Sequence, residues 1–169
     1  MHPTLLPSTS TDYPSSLPSN YPSCCDVFIN HRGPDIKDTF ASHLYYRLLS
    51  HGLQPFLDRE VLEKGDFLHP QIERAITTAS FHITIFSPTY AASKWCLDEL
   101  VSILKSGATI IPIFYNVDPS ELRWNGRYAQ AMSIHKQKHR YDDQRLENWR
   151  EALKEVSSIV GFELKTYYG

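Results

Sequence analysis

Trp95 and Glu99 stand four residues apart in SPTYAASKWCLDEL (87–100), a spacing that puts both on one face of a helix, the indole a turn before the carboxylate. A flat aromatic surface beside a carboxylate suits cleavage of a glycosidic bond to a heteroaromatic leaving group. The leaving ring stacks on indole while the carboxylate steadies an oxocarbenium-like sugar. Arg32, in NHRGPD (30–35), could hold a phosphate of such a substrate. A plainer reading makes Trp95 a core aromatic and Glu99 a solvated helix charge, and Asp98 is the rival carboxylate one position away. Cys96 could be a nucleophile, but no histidine is evidently paired with it, so it reads as packing. His135 and His139 share the i, i+4 spacing of metal ligands. No nearby cysteine completes a set and Lys136 and Lys138 interleave, so a solvated basic face is expected there and no metal site.

Strands alternating with helices must position these residues. CCDVFIN (24–30) reads as a first strand, followed by a turn at Arg32, Gly33 and Pro34. Asp38 or Thr39 can cap a helix carrying Phe40, Leu44, Leu48 and Leu49 and ended by Gly52. Residues 53–57 make a second strand, 61–68 a charged loop, and Pro70 opens a helix with Ile72, Ala75, Ile76 and Ala79 as its apolar stripe. FHITIF (81–86) and TIIPIFY (109–115) are β-branched and aromatic, as strands covered on both faces are. Between them lies a helix with Leu97, Leu100, Val101 and Leu104. A last helix carries Leu146, Trp149, Leu153, Val156 and Val160 and stops at Gly161.

This alternation predicts an α/β fold with a parallel, doubly wound sheet in the order 2-1-3-4-5. Its ligand crevice opens at the carboxyl ends of strands 1 and 3, which selects the loops 30–35 and 87–95. Neither loop holds a G-x-G-x-x-G or a P-loop pattern, so a nucleotide here must be held differently.

Composition narrows the class of function. The chain has 169 residues, 41% hydrophobic and 21% charged, with a formal net charge of −2. That balance gives no basic footprint for nucleic acid or an anionic membrane, and no apolar run of about 18 residues exists to cross a bilayer. Three cysteines, an odd number with Cys24 and Cys25 adjacent, read as reduced thiols. Residues 1–22 are rich in Pro and Ser without Lys or Arg and read as a disordered head before one domain over 23–169.

Four blocks, DVFINHRGPD, FLDREVLEKGD, SPTYAASKWCLDEL and IIPIFYNVDPSELR, occur in this order. Together they resemble the plant Toll/interleukin-1 receptor (TIR) domain, which shows D-V-F-x-x-x-R-G, a charged loop ending in R/K-G, W-C-x-x-E-L and I-x-P-x-F-Y-x-V-x-P-S at these intervals. The resemblance implies a flavodoxin-like five-stranded sheet. For many plant members it implies hydrolysis of NAD+ to nicotinamide and ADP-ribose or cyclic variants, which act as immune and cell-death signals. NAD+ is then the substrate, and no cofactor is implied.

The same resemblance puts the family's catalytic glutamate on Glu99 and its pocket-lining tryptophan on Trp95, with Ser93 just before it. The nucleotide-contacting segment falls on His31, Arg32, Gly33, Pro34, Asp35 and Ile36, and the glycine of a mobile loop, 61–67, on Gly65. Ser42 and His43 match a Ser-His self-association pair, and Gly161 lies near a second assembly surface. The implied partners are further copies of the chain and other TIR-containing immune receptors, in the cytoplasm or the nucleus; the Ser-rich, acid-poor head keeps a plastid transit peptide as an alternative.

The family's commoner S-F-R-G is N-H-R-G here, its acidic-Asp-Thr is Pro34, Asp35 and Ile36, and Lys64 replaces a frequent Arg, which leaves the product open. No P-loop or leucine-rich repeat accompanies these blocks, so the chain resembles a TIR-only protein. The competing expectation is a non-catalytic adaptor that works through self-association alone.

Overall fold

Alternate residues of a strand face opposite sides of a sheet, and that alternation sorts the core into two layers. The computed structural model describes residues 24–57, 68–138 and 141–166. The head 1–22, the loop 61–67 with Lys64 and Gly65, and His139 lie outside the described residues.

Five strands, β1 (Val27–His31), β2 (Pro55–Leu57), β3 (Phe81–Phe86), β4 (Thr109–Tyr115) and β5 (Phe162–Leu164), pair in parallel in the order β2-β1-β3-β4-β5. The helices between them are α1 (Gly33–Ile36), α2 (Ser42–Ser50), α3 (Pro70–Thr78), α4 (Lys94–Ser106), α5 (Gly126–Lys138) and α6 (Asp143–Val156). This is the doubly wound order the alternation of elements predicts, and the flavodoxin-like five-stranded sheet the resemblance implies. Val27, Ile29, Leu57, Ile83, Ile85 and Ile113 are buried on one face, where Leu44 and Leu48 of α2 pack. Phe28 and Phe56 face α3 on the other side, and Phe86 and Phe114 meet Leu97, Tyr128 and Trp149 of α4, α5 and α6.

The local chemistry explains where the elements begin and end. Pro70 takes the first position of α3, His69 accepts from the Gln71 N–H as its cap, and Ile72, Ala75, Ile76 and Ala79 are all buried as their spacing predicts. After β1 the outcome differs from a turn at residues 32–34 followed by a helix capped at Asp38 or Thr39. Helix starts at Gly33, with Pro34 pre-set for the first turn, and passes through a π-helical segment, Lys37–Ala41, without a side-chain cap. Leu49 is exposed, because it lies a step of about 100° round α2 from Leu48, which is partly buried against the sheet.

The last helix also stops earlier than expected, at Val156, and Val160 is 96% exposed. Gly161 explains the change of direction. A Cβ there would sit 2.3 Å from the Pro112 carbonyl oxygen, so only glycine lets the chain cross this close to β4 and enter β5.

Candidate active site

The sheet winds outward in both directions from β1 and β3, so their carboxyl ends define the crevice. Asn30, two residues after Phe28, points to the same side of β1 and therefore at α4. There its Nδ2 donates to Glu99 Oε2 at 2.6 Å, deep enough that Asn30 is fully buried and Glu99 only 8% exposed. Glu99 is thus neither a solvated charge nor a helix-surface carboxylate. The Tyr90 hydroxyl lies 2.5 Å from Asn30 Oδ1 and 2.9 Å from the Cys96 carbonyl, which ties the turn before α4 to both β1 and α4.

The rest of the loop after β3 is held from two sides. From the β1 side, Arg32 Nη1 donates to the Thr89 carbonyl at 2.9 Å, and the Asp35 carboxylate accepts from the Ser87 and Thr89 hydroxyls. From α5, the Tyr128 hydroxyl donates to the Ser87 carbonyl at 2.8 Å. His135 Nε2 lies 2.8 Å from the Ala91 carbonyl and must carry the proton to bond it. His135 is therefore buried rather than part of a solvated basic face, packed against Tyr141 and Trp149, while its neighbours Lys136 and Lys138 are exposed. Charge-assisted and buried hydrogen bonds of this kind fix a loop more firmly than its own backbone could.

Electrostatics set Cys96 aside as a nucleophile. Burial drives the Cys96 thiol far above its ordinary range, with the nearby Glu99 adding to the effect, and the sulfur points at the His31 carbonyl. A thiol kept protonated is packing, not a nucleophile. Burial likewise raises Tyr90 and Tyr128 well above the usual phenol value, so both remain donors.

The structure distributes the sequence-selected residues as follows. The register of α4 sets Trp95 and Glu99 one turn apart on a common face, with Trp95 half-buried and the Lys94 ammonium 4.4 Å from its ring centre. Ser93 is the N-cap of α4, its hydroxyl accepting from the Cys96 N–H. His31 is buried at the end of β1, Arg32 and Asp35 span the crevice, Gly33 opens α1 and Pro34 is exposed. Ile36 is buried in the layer beneath α2. Asp98 turns away: its carboxylate binds Arg145 and the Trp149 indole N–H of α6. Ser42 and His43 open α2, His43 exposed, and Gly161 lies against β4. Among the described residues no three His, Cys, Asp or Glu side chains gather to hold a metal.

Sequence reasoning did not select Asn30, Tyr90, Tyr128 or His135 for the site. Tyr128, Met132 and His135 carry a 4, 3 spacing that marks the buried side of α5, and Asn30 is a lone amide continuing the Phe28 side of β1. Tyr90 has no comparable signal, because it sits in a short 3₁₀ turn.

A family model described as TIR domain matches residues 25–168. TMV resistance protein N of Nicotiana glutinosa is 40% identical over 141 residues, which cover 80% of this chain and 12% of that protein. A protein of Brachypodium distachyon described as probable 2' cyclic ADP-D-ribose synthase BdTIR is 41% identical over 136 residues, 80% of this chain and 58% of its own length. The chain thus spans a small part of the first relative and somewhat over half of the second. Among solved structures, the TIR domains of the activated Roq1 resistosome, which directly recognises the effector XopQ, superpose with a TM-score of 0.74 at 37% identity. They cover 83% of this chain and 87% of that one. Among the described residues no helix is long and apolar enough to cross a membrane.

Proposed function

The chain belongs to the TIR domain family, and from that premise we propose that it cleaves the bond between nicotinamide and ribose in NAD+, with Glu99 as the catalytic residue. The observation that carries the reading is the buried Glu99 carboxylate at the carboxyl end of β1, one helical turn from the half-buried indole of Trp95. In a site with little water, a fixed negative charge stabilises an oxocarbenium-like ribose far more than it would in bulk solvent. As the glycosidic bond breaks, its electron pair leaves with the pyridinium ring, which departs as neutral nicotinamide. Attack at the anomeric carbon by water gives ADP-ribose and a proton; attack by a group of the same molecule gives a cyclic product.

Arg32, with His31, Gly33, Pro34 and Asp35 around it, is the proposed contact for the diphosphate, and Trp95 and Ser93 flank the nicotinamide end. Gly65 of the loop 61–67 is proposed to complete the site from a neighbouring copy. Self-association through Ser42 and His43 and near Gly161 would then gate the reaction, with other TIR-containing immune receptors as further partners. The dinucleotide is consumed as substrate, so the protein's own groups suffice. The likeness to a protein described as a probable 2' cyclic ADP-D-ribose synthase and to resistosome TIR domains supports an immune signalling role, proposed here for the cytoplasm.

Purified protein incubated with NAD+, with and without a crowding agent that promotes assembly, tests the reading. Nicotinamide release that increases with crowding is expected. No release under either condition, with the protein folded and self-associated, points instead to the adaptor role.

A further inference from the structure

We infer that Asn30 is a positioning residue for Glu99, its amide keeping the buried carboxylate ionised and in one orientation, with Tyr90 setting the amide in turn. The catalytic consequence rests on the NAD+-cleaving reading; the electrostatic consequence does not.

Burial opposes a carboxylate's charge, and a hydrogen bond from a neutral donor restores it without cancelling it. Asn30 Nδ2, 2.6 Å from Glu99 Oε2, is such a donor, so the full negative charge stays available to a cationic sugar. An amide has two ends that could face Glu99, and the Tyr90 hydroxyl decides between them. Its proton goes to the nearer acceptor, Asn30 Oδ1 at 2.5 Å, which leaves the NH₂ end for the carboxylate. Burial holds Tyr90 protonated and so keeps it a donor.

Titratable and charged groups face this pair from every side. Tyr90 and Cys96 lie within the electrostatic reach of Glu99 and are both held neutral by burial. Arg32 and Asp35 lie around Cys96 with opposite signs, Tyr128 adjoins Tyr90, and His31 follows Asn30 in β1. None of these is removed by changing Asn30, so a shift in Glu99 titration on that change reports the amide.

Carboxyl-carbon NMR of glutamate-labelled full-length protein, with the Glu99 signal assigned from Glu99→Gln, measures the midpoint with or without activity. Asn30→Leu keeps the volume and removes the amide; Tyr90→Phe keeps the amide and removes its guide. The midpoint should rise by about one pH unit or more in Asn30→Leu and by less in Tyr90→Phe. The acidic limb of kcat/KM should move with it while KM changes little. An unchanged midpoint in an Asn30→Leu protein that melts like the parent overturns the inference. If that variant does not fold, an unchanged midpoint in Tyr90→Phe overturns it instead. A shifted midpoint in a protein that releases no nicotinamide supports the inference and sinks the NAD+ reading alone.

Discussion

Asp98 and Glu99 are adjacent on α4, yet their carboxylates serve different neighbours of the helix. Asp98 accepts from Arg145 Nη2 at 2.5 Å and Trp149 Nε1 at 2.8 Å on α6, while Glu99 accepts from Asn30 on β1. A step of about 100° between successive helix residues is what separates a structural acid from a candidate catalytic one.

Asp98→Ala should therefore be a stability mutant. It removes the carboxylate that accepts from the Arg145 guanidinium and the buried Trp149 indole N–H, a loss of about 2–3 kcal/mol in a partly exposed pair. Chemical denaturation should show that loss and Tm should drop by roughly 5 °C or more. Nicotinamide release per folded molecule should change little.

Arg32→Ala should act mainly through KM. A phosphate remote from the breaking bond is held equally in ground and transition states, so the loss is in uniform binding. Arg32 also donates to the Thr89 carbonyl across the crevice, so a small loss of kcat is expected beside a rise in KM of roughly tenfold or more. Steady-state kinetics that show kcat alone reduced would contradict this role.

Assembly makes a separate expectation. His43 is exposed at the start of α2, so His43→Ala should lower specific activity at a given protein concentration without lowering Tm. Gly161→Ala should behave differently. Its new Cβ would collide with the Pro112 backbone, so denaturation should show a loss of stability alongside any loss of assembly. A dilution series of both variants, each with its melting curve, distinguishes an interface residue from a close-packed one.

Acid should weaken the fold through His82. Burial lowers this histidine from the ordinary 6.5 to about 4, its Nε2 meeting the Ser106 hydroxyl. Between pH 6.5 and about 4 the unfolded chain takes up a proton that the folded chain refuses. Stability fully present above pH 6.5 is thus lost through that window, with no further loss from this group below it. His82→Gln, which can still bond Ser106, should flatten the fall of Tm between pH 7 and about 4.5. An equally steep fall in the variant would assign the effect to other groups.

Sheet order, the buried side of α3 and the spans of β3 and β4 were legible because periodicity and β-branched runs are local signals. The switch point between β1 and β3 was legible too, since strand order fixes it before any side chain is placed. Long-range bonds were not. Nothing local tells that Asn30 meets Glu99 sixty-nine positions away, or that His135 reaches back to the Ala91 carbonyl. Val160 continues the 3, 4 spacing of α6 but is exposed, because the close approach of Gly161 to β4 outweighs the pattern. Polar groups placed by tertiary contact, rather than by period, are what the sequence withheld.

The central claim is that one buried carboxylate, Glu99, breaks the glycosidic bond. Its most direct test is nicotinamide release from NAD+ by Glu99→Ala and Asp98→Ala, measured side by side with the parent under assembling conditions and normalised to folded protein by circular dichroism. The account predicts release by the parent, near-parental release by Asp98→Ala, and a loss of at least roughly a hundredfold in Glu99→Ala. Release by folded Glu99→Ala at the parental rate would contradict it.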